Sequence, residues 1–147
     1  MEHEEYMRQA LELARQAMAE EEVPVGCVIV RDGAVVGRGR NRRETAQTAL
    51  GHAELEAIAQ ACRTLGGWRL AGCALYVTLE PCPMCAGAIV NARIPAVYYG
   101  AKDDKAGCCG SVLNLFEERF NHHPRIYGRV LEAECAALLQ EFFQSLR

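Results

Sequence analysis

No stretch of this chain approaches the run of about 18 apolar residues that reads as a membrane span, so a transmembrane helix is excluded. The opening residues, Met1-Glu2-His3-Glu4-Glu5, lack the basic start of a secretory signal, and the expected compartment is the cytoplasm. Low-complexity segments, linkers and internal repeats are also missing, so residues 1–147 read as one domain. Nor is there an excess of positive charge. Lys plus Arg is 16 against 19 for Asp plus Glu, a net charge of -3, whereas a general polyanion binder is normally basic. Cysteine is not scarce. Eight are too few for a disulfide scaffold and more than packing usually supplies, in a chain whose residues are 50% apolar and can build a core unaided. Metal binding or catalysis is the better reading for them.

The small net charge hides an asymmetry. Residues 1–22 hold seven Glu and two Arg, so the remainder of the chain is slightly positive. Arg38, Arg40, Arg42 and Arg43 fall within six residues, and Arg119, Arg125 and Arg129 form a looser group with His122 and His123. Either group alone reads as a solvated face. Converging on one pocket, they would make a modest phosphate footprint, suited to a small metabolite or a short nucleic-acid loop rather than to long duplex DNA.

Apolar positions at Met7, Leu11, Ala14 and Met18 predict a helix over 4–20, closed by Pro24. Val25–Val30, the Asp32-Gly33 turn and Ala34–Gly39 predict a hairpin. Residues 40–51 read as a loop, and 52–65 as a helix stopped by Gly66-Gly67. A strand over 74–79, a helix over 82–91 opened by Pro81 or Pro83, and a strand over 96–100 follow. After a polar loop over 102–110 come a single helical turn within 111–116, a short strand at 125–127 and a helix over 133–146. A hairpin followed by alternating helices and strands implies a mixed sheet with helices on both faces. Right-handed crossovers then bring the helix starts at 52 and 82 to one sheet edge, beside strand C-terminal ends.

The sharpest motif is Pro81-Cys82-Pro83-Met84-Cys85. Two cysteines at this spacing can hold one metal, and at a helix start both thiolates meet unpaired N–H groups. Taken alone, the pair could also be a redox couple or structural cysteines. A redox couple expects the motif after an early strand and has no use for a distant histidine. His52-Ala53-Glu54 supplies one. His52, Cys82 and Cys85 make three ligands, which leaves the open fourth position of a catalytic site, while Cys108 or Cys109 as a fourth would make it structural. Glu54 is not needed as a ligand and is placed to move a proton. Singly, His52 could be a helix cap and Glu54 a charge that satisfies the helix dipole. Jointly, H-x-E with P-C-x-x-C is the pattern of the zinc deaminases.

With those residues the chain resembles the bacterial tRNA-specific adenosine deaminases of the cytidine deaminase-like superfamily. The likeness runs through Glu22-Val23-Pro24-Val25-Gly26, Asn41, His52-Ala53-Glu54, Gly67-Trp68-Arg69-Leu70 and Leu75 to Ala88. It continues in Tyr99-Gly100-Ala101, Gly110-Ser111, Phe120-Asn121-His122 and Glu134-Cys135 to Phe142-Phe143, and so covers essentially the whole chain. The resemblance implies a three-layer α/β/α cytidine deaminase-like fold with a five-stranded mixed sheet, in a homodimer. It implies a single Zn2+ per chain on His52, Cys82 and Cys85, with Glu54 as proton shuttle and no organic cofactor. The implied reaction is hydrolytic deamination of adenosine to inosine at the wobble position of a tRNA anticodon, mainly arginine tRNA. Asn41 would then bond the flipped nucleoside, and Pro24 and Val25 would wall the base pocket. Asp103 and Lys105, Asn121 and His122, and Phe142 and Phe143 would touch the rest of the anticodon stem-loop. The chain departs from the family at Ala49-Leu50-Gly51, at Cys108-Cys109 and in ending at Arg147 without a basic tail, which lowers the expected phosphate affinity. Two rivals remain: a guanine or other small-molecule deaminase of the same fold, and a zinc-stabilised scaffold without catalysis. The latter has no reason to keep Glu54.

Overall fold

A computed structural model describes residues 2–146. The first helix, α1 (Glu2–Ala19), buries Met7, Ala10, Leu11, Ala14 and Ala17 along one face. It ends within a residue of the expected position, and an acidic turn separates it from Pro24. Glu21 takes a left-handed φ of 63°, and the amides of Glu20, Glu21 and Glu22 fold back onto the carbonyls of Ala17 and Met18. That turn swings the Glu22 side chain into the protein. Strands β1 (Gly26–Arg31) and β2 (Ala34–Arg40) form the expected hairpin, and Asp32 and Gly33 have positive φ of 50° and 78° as a two-residue turn requires.

Helix α2 (Ala53–Leu65) follows, closed by left-handed Gly66, then β3 (Cys73–Leu79), α3 (Pro83–Asn91), β4 (Ala96–Ala101), β5 (Arg125–Tyr127) and α4 (Glu132–Ser145). The sheet order is β2-β1-β3-β4-β5. Its β2/β1 and β1/β3 junctions are antiparallel, and β3/β4 and β4/β5 are parallel. This is the five-stranded mixed sheet expected from the sequence.

Side chains alternate across that sheet. Cys27, Ile29, Leu75, Val77, Val97 and Tyr99 face α2 and α3, where Ala53, Ala57, Ala61, Ala86 and Ile89 complete one core. Val28, Val30, Tyr76 and Ala101 face α1 and α4, meeting Met7, Leu11 and Cys135. The result is three layers. Helix α2 lies unusually close to the hairpin because the sheet is bare beneath it. A Cβ on Gly39 would run into the Ala53 carbonyl, and one on Gly37 into that of Ala57. This close approach sets how deep the start of α2, and with it His52 and Glu54, sits against the sheet.

The helical turn expected within 111–116 lies later, as a 3-10 turn over Leu115–Glu117. Asn114 caps it by accepting the Phe116 amide, while Ser111 is drawn away to the Glu80 carboxylate. Among the described residues no helix is long and apolar enough to cross a membrane.

Candidate active site

Strands β2 and β3 are both antiparallel to the β1 between them and so run the same way, which brings the starts of α2 and α3, the helices that follow them, to one edge of the sheet. His52 is the N-cap residue of α2 and Cys82 that of α3, and neither side chain is spent on capping its helix. Both are thereby free to face each other. His52 Nδ1 lies 3.6 Å from Cys82 Sγ and 3.5 Å from Cys85 Sγ. One ring nitrogen has at most one proton to donate, so it cannot satisfy two sulfurs by hydrogen bonding. A cation that takes a lone pair from each atom does. Tetrahedral zinc, with bonds near 2.3 Å to sulfur and 2.0–2.1 Å to nitrogen, holds its N and S ligands roughly 3.5–3.6 Å apart. Both nitrogen–sulfur separations therefore match a shared zinc ion. They are the sole group of His, Cys, Asp or Glu with metal-ligand spacing among the described residues, their donor atoms all within 4.8 Å of one another. Neither Cys108 nor Cys109 joins it.

The charges around this cluster are displaced from their ordinary values. Hydrogen bonding from Cys85, and then from His52, holds the Cys82 thiol down to about 4, a ready thiolate. The Cys85 thiol moves the other way, pushed up by its bond to Cys82 and by burial. His52 is raised by its contact with Cys82. Glu54, in the first turn of α2, is buried, and burial lifts its carboxyl to about 7, aided by the nearby Cys82 charge. A carboxyl poised near neutrality can both accept and return a proton.

Glu54, His52 and Cys82 open onto a pocket of about 220 Å³. Val25, Asn41 and Asp103 line it as well, as do six residues that sequence reasoning did not single out for it: Val23, Arg43, Ala53, Leu79, Glu80 and Ala106. Pro24, expected as a wall, is buried and does not line it. The Val25 amide donates to the Val23 carbonyl at 2.9 Å, so Pro24 is the central residue of a tight three-residue turn flanked by the two valines that do line the pocket. Asn41 is half committed already. Its Nδ2 donates to the Val23 carbonyl and its Oδ1 accepts the Arg43 amide, which leaves one N–H and one lone pair for a substrate.

The remaining expected contacts lie outside the pocket. Lys105 is exposed, and its amide donates to Asp103 Oδ1. His122 Nε2 meets the Ile94 carbonyl at 2.7 Å, at the entry of β4 and hence at the opposite end of the sheet, with Asn121 exposed beside it. In α4, Phe142 is buried and Phe143 is half exposed, edge-on to it at 5.4 Å.

Two further buried carboxylates shape the pocket walls. Burial pushes Glu22 up, but amides of Thr45 and Glu44 and the Thr45 hydroxyl outweigh it and hold the group below the usual carboxylate range. Burial likewise raises Glu80, while Ser111 and the amides of Asp103 and Cys109 more than reverse it. Their only sequence signal is an acid set against an apolar run, in Glu22-Val23 and Leu79-Glu80.

The model of the MafB19-like deaminase family matches residues 1–147. A tRNA-specific adenosine deaminase of Bacillus subtilis is 50% identical over 143 residues, which are 97% of this chain and 89% of that protein. A structure from a study of A-to-I editing by tRNA:A34 deaminases at the wobble position of transfer RNA superposes with a TM-score of 0.87 at 45% identity, over 91% of this chain and 98% of the other. A guanine deaminase from Bacillus subtilis gives 0.69 at 35%, over 98% and 95%. The H-x-E and P-C-x-x-C residues meeting at one pocket and this whole-length likeness agree: the chain belongs to the MafB19-like deaminase family, with the tRNA-specific adenosine deaminases.

Proposed function

We propose that this chain is a zinc-dependent hydrolytic deaminase that converts adenosine to inosine at the wobble position of a tRNA anticodon. Arginine tRNA is the expected substrate, the cytoplasm the expected compartment, and residues 1–147 act as one domain without an organic cofactor. The observation that supports it most is Glu54, a buried carboxylate beside the metal-ligand cluster that no ligand role explains.

His52, Cys82 and Cys85 would hold zinc, which would supply the acidity that makes a water molecule a nucleophile near neutral pH. Glu54 takes the proton of that water as its oxygen bonds to C6 of adenine, and delivers it to ring N1. The second proton of that water, left on the oxygen now bonded to C6, passes through Glu54 to the exocyclic nitrogen. The C6–N bond then breaks, ammonia leaves, and C6 keeps the oxygen. Val23, Val25 and Leu79 give the base apolar walls, and the free N–H and lone pair of Asn41 fix its orientation. Arg43 at the pocket is placed for a flanking phosphate. The base must leave its stack to enter, which costs least in a single-stranded loop.

The reading is tested with an arginine anticodon stem-loop carrying adenosine at the wobble position, and with one whose adenosine is moved a single position away. Inosine is expected in the first and at most traces in the second. Equal conversion of both would overturn wobble selectivity.

The same reading takes the active form to be a homodimer. Helix α3 contains no charged residue, and Met84, Gly87 and Ala88 are only partly covered by this chain. A second copy would cover that apolar face about a two-fold axis. Light scattering at micromolar protein should give a mass near twice 16.2 kDa, and an active species at 16.2 kDa would contradict it.

A further inference from the structure

Besides Glu54, two carboxylates are buried in this protein, Glu22 and Glu80, at 1% and 2% exposure. Among the described residues neither forms a salt bridge. A buried charge without a counter-ion is costly. Here the compensation comes from loop amides and hydroxyls far along the chain. Glu22 accepts the Glu44 amide at 3.1 Å, the Thr45 amide at 2.6 Å and the Thr45 hydroxyl at 2.8 Å. Glu80 accepts the amides of Asp103, Cys109 and Ser111 at 3.1, 2.9 and 3.1 Å, and the Ser111 hydroxyl at 2.5 Å. Bonds from N–H and O–H to a carboxylate are about twice as strong as neutral ones.

Each set of bonds closes one wall of the pocket. The Glu22 set holds the loop between Asn41 and His52, which contributes Arg43. The Glu80 set holds the loop after β4, which contributes Asp103 and Ala106. Neither loop lies in the sheet or in a helix, so each carboxylate does the work that a strand partner does elsewhere. The fit around Glu80 is close. Gly107 packs against its carboxyl group with no room for a Cβ.

We propose that Glu22 and Glu80 are positioning residues, whose carboxylates fold the two wall loops into the shape that grips the looped RNA. This rests on the tRNA reading above. Neither residue transfers a proton. Their effect reaches the substrate through Arg43, Asp103 and Ala106.

The test is kinetic, on the zinc-loaded full chain with the wobble-adenosine stem-loop. Glu22→Gln and Glu80→Gln keep size but set an NH2 group against amide donors, so at least one bond is lost in each. Both variants should keep zinc and melt cooperatively. Their KM for the stem-loop should rise by about 10-fold, the scale of one lost charge-assisted bond, with kcat within about 3-fold of the parent. Ser111→Ala and Thr45→Val remove only a hydroxyl and should raise KM less. In the Glu80→Gln background, Ser111→Ala should add almost nothing, because partners in one bonded unit are not additive.

Unchanged KM with a lower kcat would mean a merely structural role and would overturn the proposal. So would full multiplication of the Ser111 and Glu80 effects, or loss of zinc from either glutamine variant. Should a glutamine variant fail to fold, KM for Ser111→Ala and Thr45→Val decides, and a parental value sinks the idea. A wild-type protein inactive on the stem-loop overturns the tRNA reading itself, and this proposal with it. An active wild type with insensitive variants overturns only the present one.

Discussion

Glu54→Gln is expected to leave a folded, zinc-loaded protein whose kcat is lower by at least about 10²-fold, the usual scale for a positioned proton-transfer group. Glutamine has nearly the same shape as the carboxyl it replaces, so the packing at the first turn of α2 is kept. Chemistry is what it lacks, since an amide neither takes a proton from water nor returns one to a ring nitrogen. Because Glu54 is buried and its carboxyl sits near neutrality, the wild-type group can do both in one turnover. Elemental analysis run beside the assay separates the roles. Full zinc with lost turnover supports the shuttle. Near-normal turnover with full zinc would remove Glu54 from the mechanism and leave the scaffold reading standing.

His52→Ala should act one step earlier, on the metal. His52 Nδ1 is the single nitrogen in the cluster, within 3.6 Å of both sulfurs, and two thiolates alone cannot complete a catalytic zinc site. Zinc should fall from about one equivalent per chain to a small fraction, and deamination with it. Chelator treatment of the wild-type protein should mimic the variant and be reversed by added zinc. It should also lower the melting temperature, since a ligand that binds only the native state stabilises it by mass action. Full zinc occupancy in His52→Ala would show that the ligands lie elsewhere.

The two metal motifs were readable from the sequence because each is short and tied to a helix start. Alternating strands and helices around them determine which edge they reach, and the crossover rule does the rest. What could not be read lies at long separations or at ends. Ser111 is held by Glu80 across 31 positions, which moved the expected helical turn to Leu115–Glu117. Periodicity carries no trace of such a bond. Helix α1 ends at Ala19, within a residue of its expected end, but nothing in its periodicity shows that the turn after it carries Glu22 inward. In α4 the apolar residues Leu138, Leu139, Phe142, Phe143 and Leu146 share one face of the helix, with Phe143 at its edge, and that pattern alone does not say whether a ring at the edge packs inward or meets a partner. The fold buries Phe142 and leaves Phe143 half exposed, for solvent or a partner.

The Bacillus subtilis guanine deaminase has the same fold at 35% identity, so the fold alone does not choose the substrate. On the proposed reading, contacts outside the base pocket do. They are of little value to a free nucleoside, whereas in a stem-loop they can be used to position the base, so a truncated substrate should lose turnover as well as affinity. The most direct measurement is therefore kcat/KM for the wobble-adenosine stem-loop beside free adenosine, adenine, guanine and cytidine, at equal concentration of the zinc-loaded protein. The account predicts that the stem-loop is deaminated fastest by a wide margin. Faster turnover of guanine, or of any other free base or nucleoside, would contradict it.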